Sequence, residues 1–181
     1  SARAAAVRPS TWRVATSAAC QADPGEMLQS AQEYYARHDY NAAAIQLKNV
    51  LQKQPDNAEA RFLLGAVSLD QGDVAGAVRD LTRALDLGIA STQVAPLLAR
   101  ARVLNGEYDA VLDTYADSAL TNPVDQAIVL ASVGDALLAR ERFDEARQYF
   151  ERALQRAPNE ISAYIGLRRR NAAPGERRHA L

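Results

Sequence analysis

From residue 24 to residue 160 the apolar positions recur at helical spacing. Leu64, Val67 and Ser68 form one stripe, and Ala77, Leu81, Ala84 and Leu85 form the next. Spacings of i, i+3, i+4 and i+7 place such residues on one face of a helix. A short polar turn separates the two stripes, so the pair predicts an αα-hairpin. The same pattern recurs in segments whose turns hold Asp39, Asp73, Glu107 and Asp144. Aligned on the first apolar residue after each turn (Tyr40, Val74, Tyr108 and Phe143), the units are spaced by 34, 34 and 35 residues. The extra residue falls in the turn-rich stretch 121–125, where an insertion costs little. One hairpin cannot bury both of its stripes, so neighbouring hairpins must stack. The pattern therefore predicts an all-α chain of about nine stacked helices with no strand.

A 34-residue period of this kind resembles the tetratricopeptide repeat family. The repeats are read at 24–57, 58–91, 92–126 and 127–160. The family has a small residue at the eighth position, and here those are Ala31, Gly65, Ala99 and Gly134. The small site at the twentieth position is Ala43, Ala77, Val111 and Ala146, and the large knob at the twenty-fourth is Leu47, Leu81, Tyr115 and Phe150. The helix-ending proline falls at Pro55, Pro123 and Pro158. Ile89 takes that place in the second repeat, where Gly88 can end the helix instead. The resemblance implies a right-handed α-solenoid over 23–171. A fifth unit begins at Ile161, but its small site is Arg168, which would clash with a second helix. A lone capping helix with a polar outer face is therefore expected over 160–171. A disordered leader at 1–22 and a disordered tail at 172–181 are expected on either side.

Composition agrees with helices. Of 181 residues, 37 are Ala and 20 are Leu, both strong helix formers. The net charge is -1, with basic ends and an acidic body. A basic stripe on a structured face is missing, so nucleic-acid binding is not expected. One cysteine, Cys20, excludes an intrachain disulfide. His38 and His179 are the only histidines, so no zinc site is expected. No apolar run approaches the ~18 residues of a membrane span. No phosphate loop, dinucleotide fingerprint, nucleophile elbow or zinc-protease motif occurs. No enzyme activity, cofactor or metal is expected.

A narrower resemblance lies in AAAIQLKNVLQKQPDNAEARFLLG, residues 42–65, and VAPLLARARVLNGEYDAVLD, residues 94–113. These are similar to the start of the PEP-CTERM system TPR-repeat lipoproteins, bacterial envelope proteins associated with exopolysaccharide and exosortase loci. Those proteins carry a lipid-anchored cysteine just before the first repeat. Cys20 stands four residues before Pro24 and follows Ser17, Ala18 and Ala19. The resemblance implies lipid attachment at Cys20 in the native precursor and a place on the periplasmic side of the envelope; without it the expectation is cytoplasmic. The segment SARAAAVRPSTWRVATS departs from the family's export signal, with three Arg and no apolar core.

Tetratricopeptide repeat domains act as scaffolds that hold peptides or partner helices in the groove made by their first helices. The resemblance maps that groove onto Leu28, Gln32 and Tyr35 in the first repeat and onto Glu59, Phe62 and Leu69 in the second. The third repeat gives Arg100 and Val103, and the fourth gives Asp135 and Leu138. The chaperone-binding subclass clamps a terminal carboxylate with Lys and Asn. This chain has Leu28, Gln32 and Leu63 at the matching places, so no such clamp is expected. Phe62 is either the central apolar anchor for a partner or a packing residue against the third repeat's first helix, near Pro96. The expected function is a non-enzymatic protein–protein interaction scaffold, in bacterial envelope exopolysaccharide or protein export. The alternative is a self-associating structural solenoid with no separate ligand.

Overall fold

The structure is a computed structural model that describes residues 23–171, and these form nine helices and no strand. They are α1 (Pro24–Ala36), α2 (Tyr40–Lys53), α3 (Ala58–Gln71), α4 (Val74–Asp86), α5 (Ser91–Leu104), α6 (Tyr108–Tyr115), α7 (Pro123–Ala139), α8 (Phe143–Arg156) and α9 (Ile161–Asn171). Successive pairs form four hairpins, and α9 packs on α7 and α8. The leader with Cys20 and the tail lie outside the described residues.

Local chemistry sets the helix ends. Side chains of Asp23, Asp39, Asn57, Asp73 and Asn122 accept backbone N–H bonds at five helix starts. Each satisfies a donor that the first helical turn leaves without a partner. The turn inside every hairpin is built alike. One residue takes a left-handed conformation: His38 (φ 60°), Gly72 (φ 81°), Gly106 (φ 79°) and Glu141 (φ 59°). The next N–H then reaches back to the preceding helix: Asp39 to Tyr34 O and Glu107 to Arg102 O at 2.9 Å, Asp73 to Ser68 O at 2.8 Å, and Arg142 to Leu137 O at 2.9 Å. The second helices start at Tyr40, Val74, Tyr108 and Phe143, the residues on which the repeats align.

Inside the hairpins, small residues meet large ones. A Cβ on Gly65 would stand 2.6 Å from Leu81 Cγ, and one on Gly134 would stand 2.6 Å from Phe150 Cε1. The glycines thus let the two helices approach until the knob fills the space between them. Leu47, Leu81 and Phe150 are fully buried, and Tyr115 nearly so. A fully buried Asp80 binds α3 to α4. It accepts from Arg61 Nη1 at 2.9 Å and from Arg79 Nη2 at 2.8 Å, so its buried charge is paired as burial requires.

Three expectations need correction. Pro123 does not end the third repeat's second helix. It opens α7, with Asn122 as its cap. The helix it was expected to end, α6, stops early at Tyr115. Asp117 and Ser118 favour turns, and the residue before a proline is pushed out of the helical region. Gln126, buried, takes over the freed backbone groups. Its Oε1 accepts from Leu120 N–H at 2.5 Å, and its Nε2 donates to Ser118 O at 3.0 Å. Tyr149 Oη donates to Ala116 O at 3.0 Å. Nor is the exposed surface of α9 wholly polar: Ile161, Tyr164 and Ile165 are exposed on it beside Arg168 and Arg169. Gly166, rather than the residue at Arg168, is the small site of this helix; the ring of Phe150 fills the place of its missing Cβ. Arg168 points to solvent.

Candidate partner-binding groove

The first helices of the hairpins, α1, α3, α5 and α7, continue into α9 and carry every groove residue read from the sequence. Along α1 and α3 these residues largely bond to their neighbours. Gln32 Nε2 donates to Glu59 Oε1 at 2.7 Å. Tyr35 Oη donates to Asp70 Oδ2 at 2.9 Å. Burial, reinforced by the Asp70 carboxylate, pushes the Tyr35 hydroxyl up to about 12, so it stays a donor at any physiological pH. Leu28 packs half-buried against the first core cluster. Leu69, expected in the groove, is only 8% exposed and packs with Ala77, Leu81, Val94 and Leu98. It is a core residue, because α4 and α5 close over it from both sides. Phe62 is half-buried against the same cluster, which includes Val94 and Leu98 of α5. Part of the residue stays open to solvent.

Along α5, α7 and α9 the surface is open. A cavity of about 560 Å³ is lined by Arg100, Val103, Leu104, Ile128, Asp135, Ile161, Ile165 and Arg169, among others. A second, of about 520 Å³, adjoins it through Val103, Leu104, Asp135 and Arg169 and adds Tyr108, Leu138 and Phe143. Arg100, Val103, Asp135 and Leu138, read separately from two repeats, are thus brought together. Leu104 is 58% exposed and Ile161 71%, an unusual display for large apolar side chains around one depression.

The chemistry of this depression centres on Asp135. Its side chain is 23% exposed, and its ion-pair partner among the described residues is Arg169, Nη1 at 4.0 Å. Burial pushes its carboxyl up to about 6, and Arg169 pulls it only partly back. Glu160, on the same rim, is occupied by the Ser162 N–H at 3.2 Å and the Ser162 hydroxyl at 2.5 Å. Ser132 donates to Ile128 O within its own helix. Sequence reasoning missed Leu104, Ile128, Ile161, Ile165 and Arg169. The i, i+3, i+4 spacing of Ile161, Tyr164 and Ile165 was a readable signal for an apolar stripe. The side of α9 that the stripe occupies was not.

Among the described residues no group of His, Cys, Asp and Glu is placed to hold a metal ion. No helix there is long and apolar enough to cross a membrane.

Comparison with known proteins fits this architecture. The chain is similar to the cytochrome c-type biogenesis protein CycH of Pseudomonas aeruginosa, with 28% identity over 141 residues. The match takes in 76% of this chain and 35% of that protein, so the chain spans about a third of the curated relative's length. Among solved structures it resembles MamA of MSR-1, with a TM-score of 0.70, 25% identity, and 87% of this chain and 90% of that one covered. It also resembles MamA from Desulfovibrio magneticus RS-1, with a TM-score of 0.69, 18% identity, and 83% and 85% covered. YrrB, a TPR protein with an unusual peptide-binding site, gives a TM-score of 0.66 at 16% identity, with 83% and 77% covered. Models of the tetratricopeptide repeat match residues 28–92 and 127–160, together more than half of the chain. With the repeating turns, the small–large pairs at each crossing and the stacked hairpins, they establish that the chain belongs to the tetratricopeptide repeat family.

Proposed function

We propose that this protein is a non-enzymatic scaffold that holds a partner peptide or helix in the groove formed by α5, α7 and α9. The observation that carries the reading is the pair of adjoining cavities there, with Leu104, Ile161 and Ile165 exposed around them. Exposed apolar side chains at a concave site gain most when a partner removes them from water. Phe62 and the wall of α1 and α3 extend this surface toward the N-terminal end. The peptide-binding site named for YrrB, a protein of like fold, supports the same kind of ligand. In this reading the setting is the bacterial envelope, in exopolysaccharide or protein export, with Cys20 as lipid anchor in the native precursor. The support for that setting is the similarity of residues 42–65 and 94–113 to envelope lipoproteins.

A second reading is favoured by one observation. Ile161, Tyr164 and Ile165 form an exposed apolar stripe on the terminal helix, a surface through which copies of the chain could stack. Light scattering across a concentration series separates the two. A monomer throughout, whose envelope partners are lost in Ile165→Asp and kept in Tyr164→Ser, supports the groove. Concentration-dependent growth that Tyr164→Ser abolishes supports self-association and overturns the partner reading.

A further inference from the structure

We propose that the cavity between α5, α7 and α9 selects an amphipathic peptide segment carrying a basic side chain for Asp135 and apolar side chains for Leu104, Ile161 and Ile165. This rests on the groove reading above and narrows it to one ligand chemistry. The Asp135 carboxylate lines both cavities. Among the described residues no donor reaches it within hydrogen-bond distance, since Arg169 stands at 4.0 Å and such bonds close at roughly 3.2 Å. No described side chain therefore bonds to either oxygen, and the little exposure the carboxylate keeps opens into the cavities.

The other charges on the rim do not have this problem. Arg169 is 70% exposed, Arg100 is exposed, and water can solvate both. Glu160 is already bonded to Ser162. A ligand gains most where a charge has lost water without gaining a partner, and that group here is the carboxylate. A lysine or arginine brought against it makes a charge-assisted bond in a partly desolvated site. Arg169, exposed and loosely held, can swing aside. The apolar surround then dictates the flanking residues, because Val103, Leu104, Ile128, Ile161 and Ile165 surround the acid on the same floor.

The test is a random-peptide phage selection on the whole chain, followed by affinity measurement with the recovered peptide made synthetically. The expected result is enrichment of Lys or Arg flanked by Leu, Ile or Phe. Binding should fall about tenfold or more in Asp135→Asn, as for loss of a charge-assisted bond. Replacing the peptide's basic residue with norleucine should cost as much, which keeps the test valid whatever Asp135→Asn does to folding. Recovered peptides that bind Asp135→Asn unchanged but fail on Ile165→Asp overturn this inference and leave the groove reading standing. Peptides rich in Asp or Glu that fail on Arg100→Gln overturn it in favour of an anionic ligand. No enrichment over background overturns both.

Discussion

Along α1 and α3 the polar side chains of the groove bond one another, Gln32 to Glu59 and Tyr35 to Asp70. Along α5 and α7 the two charged groove residues are not bonded in this way: among the described residues Asp135 has only a stretched contact to Arg169, and Arg100 faces water. The hairpins behind the two regions share the same turns and the same small–large crossings. What differs is the neighbour. In the first region each polar group meets a complementary one on the next hairpin. In the second, α9 brings exposed isoleucines, and the wall stays open. A groove position in a repeat is therefore an address. Whether its side chain is available to a partner depends on what the adjacent repeat places beside it.

The largest effect should come from removing the knob that builds the open half. Phe150 fills the space left by both Gly134 and Gly166, so Phe150→Ala should destabilise by about 3–5 kcal/mol in denaturant unfolding. Because α9 rests on that ring, the variant should also lose any groove ligand. A loss under about 1 kcal/mol would mean that α9 docks without it.

Asp135→Asn should act through pH. The folded-state carboxyl is raised to about 6, above its unfolded value of roughly 4. The group therefore favours folding below about pH 4, and that contribution is lost as pH rises through about 6. Asparagine removes the cost of a buried charge. The variant should be more stable than the parent by about 1–3 kcal/mol at pH 7.5, and equal to it near pH 4. A pH-independent difference would show that Asp135 is not the desolvated group described here.

The smallest effect belongs to the bonded half. Gln32→Ala removes an exposed bond to Glu59 and should change stability by no more than about 0.5 kcal/mol. It should also leave ligand affinity unchanged if the binding surface is the open half. A clear affinity loss in Gln32→Ala would extend the site along the whole groove and erase the contrast between its ends.

Much of the scaffold was legible because it is local. Asp39 and Asp73 sit where a helix start needs an acceptor, and both cap. Gly65 and Leu81 lie in one hairpin, and the resemblance to the tetratricopeptide repeat implied their small–large pairing. The misreadings arose where two local rules competed. Pro123 could end one helix or begin the next, and Asn122 as cap with Gln126 as a backbone mimic decided for the second. Leu69 stood at a groove position by its number, yet α4 and α5 cover it. The ten groove residues all fall on the first helices of their hairpins, but the open cavity is completed by Ile161, Ile165 and Arg169 of a helix read as a polar cap.

The sequence by itself determined the all-α repeat, its period, its turns and its crossings, since these depend on residues within one hairpin and on backbone rules acting over a few positions. Only the tertiary structure decided which groove residues stay free. Gln32 meets Glu59 across 27 positions and Tyr35 meets Asp70 across 35, while among the described residues Asp135 meets no donor within bonding distance. Solvation of a charge depends on the summed burial by several helices, and no spacing within a single repeat encodes that sum.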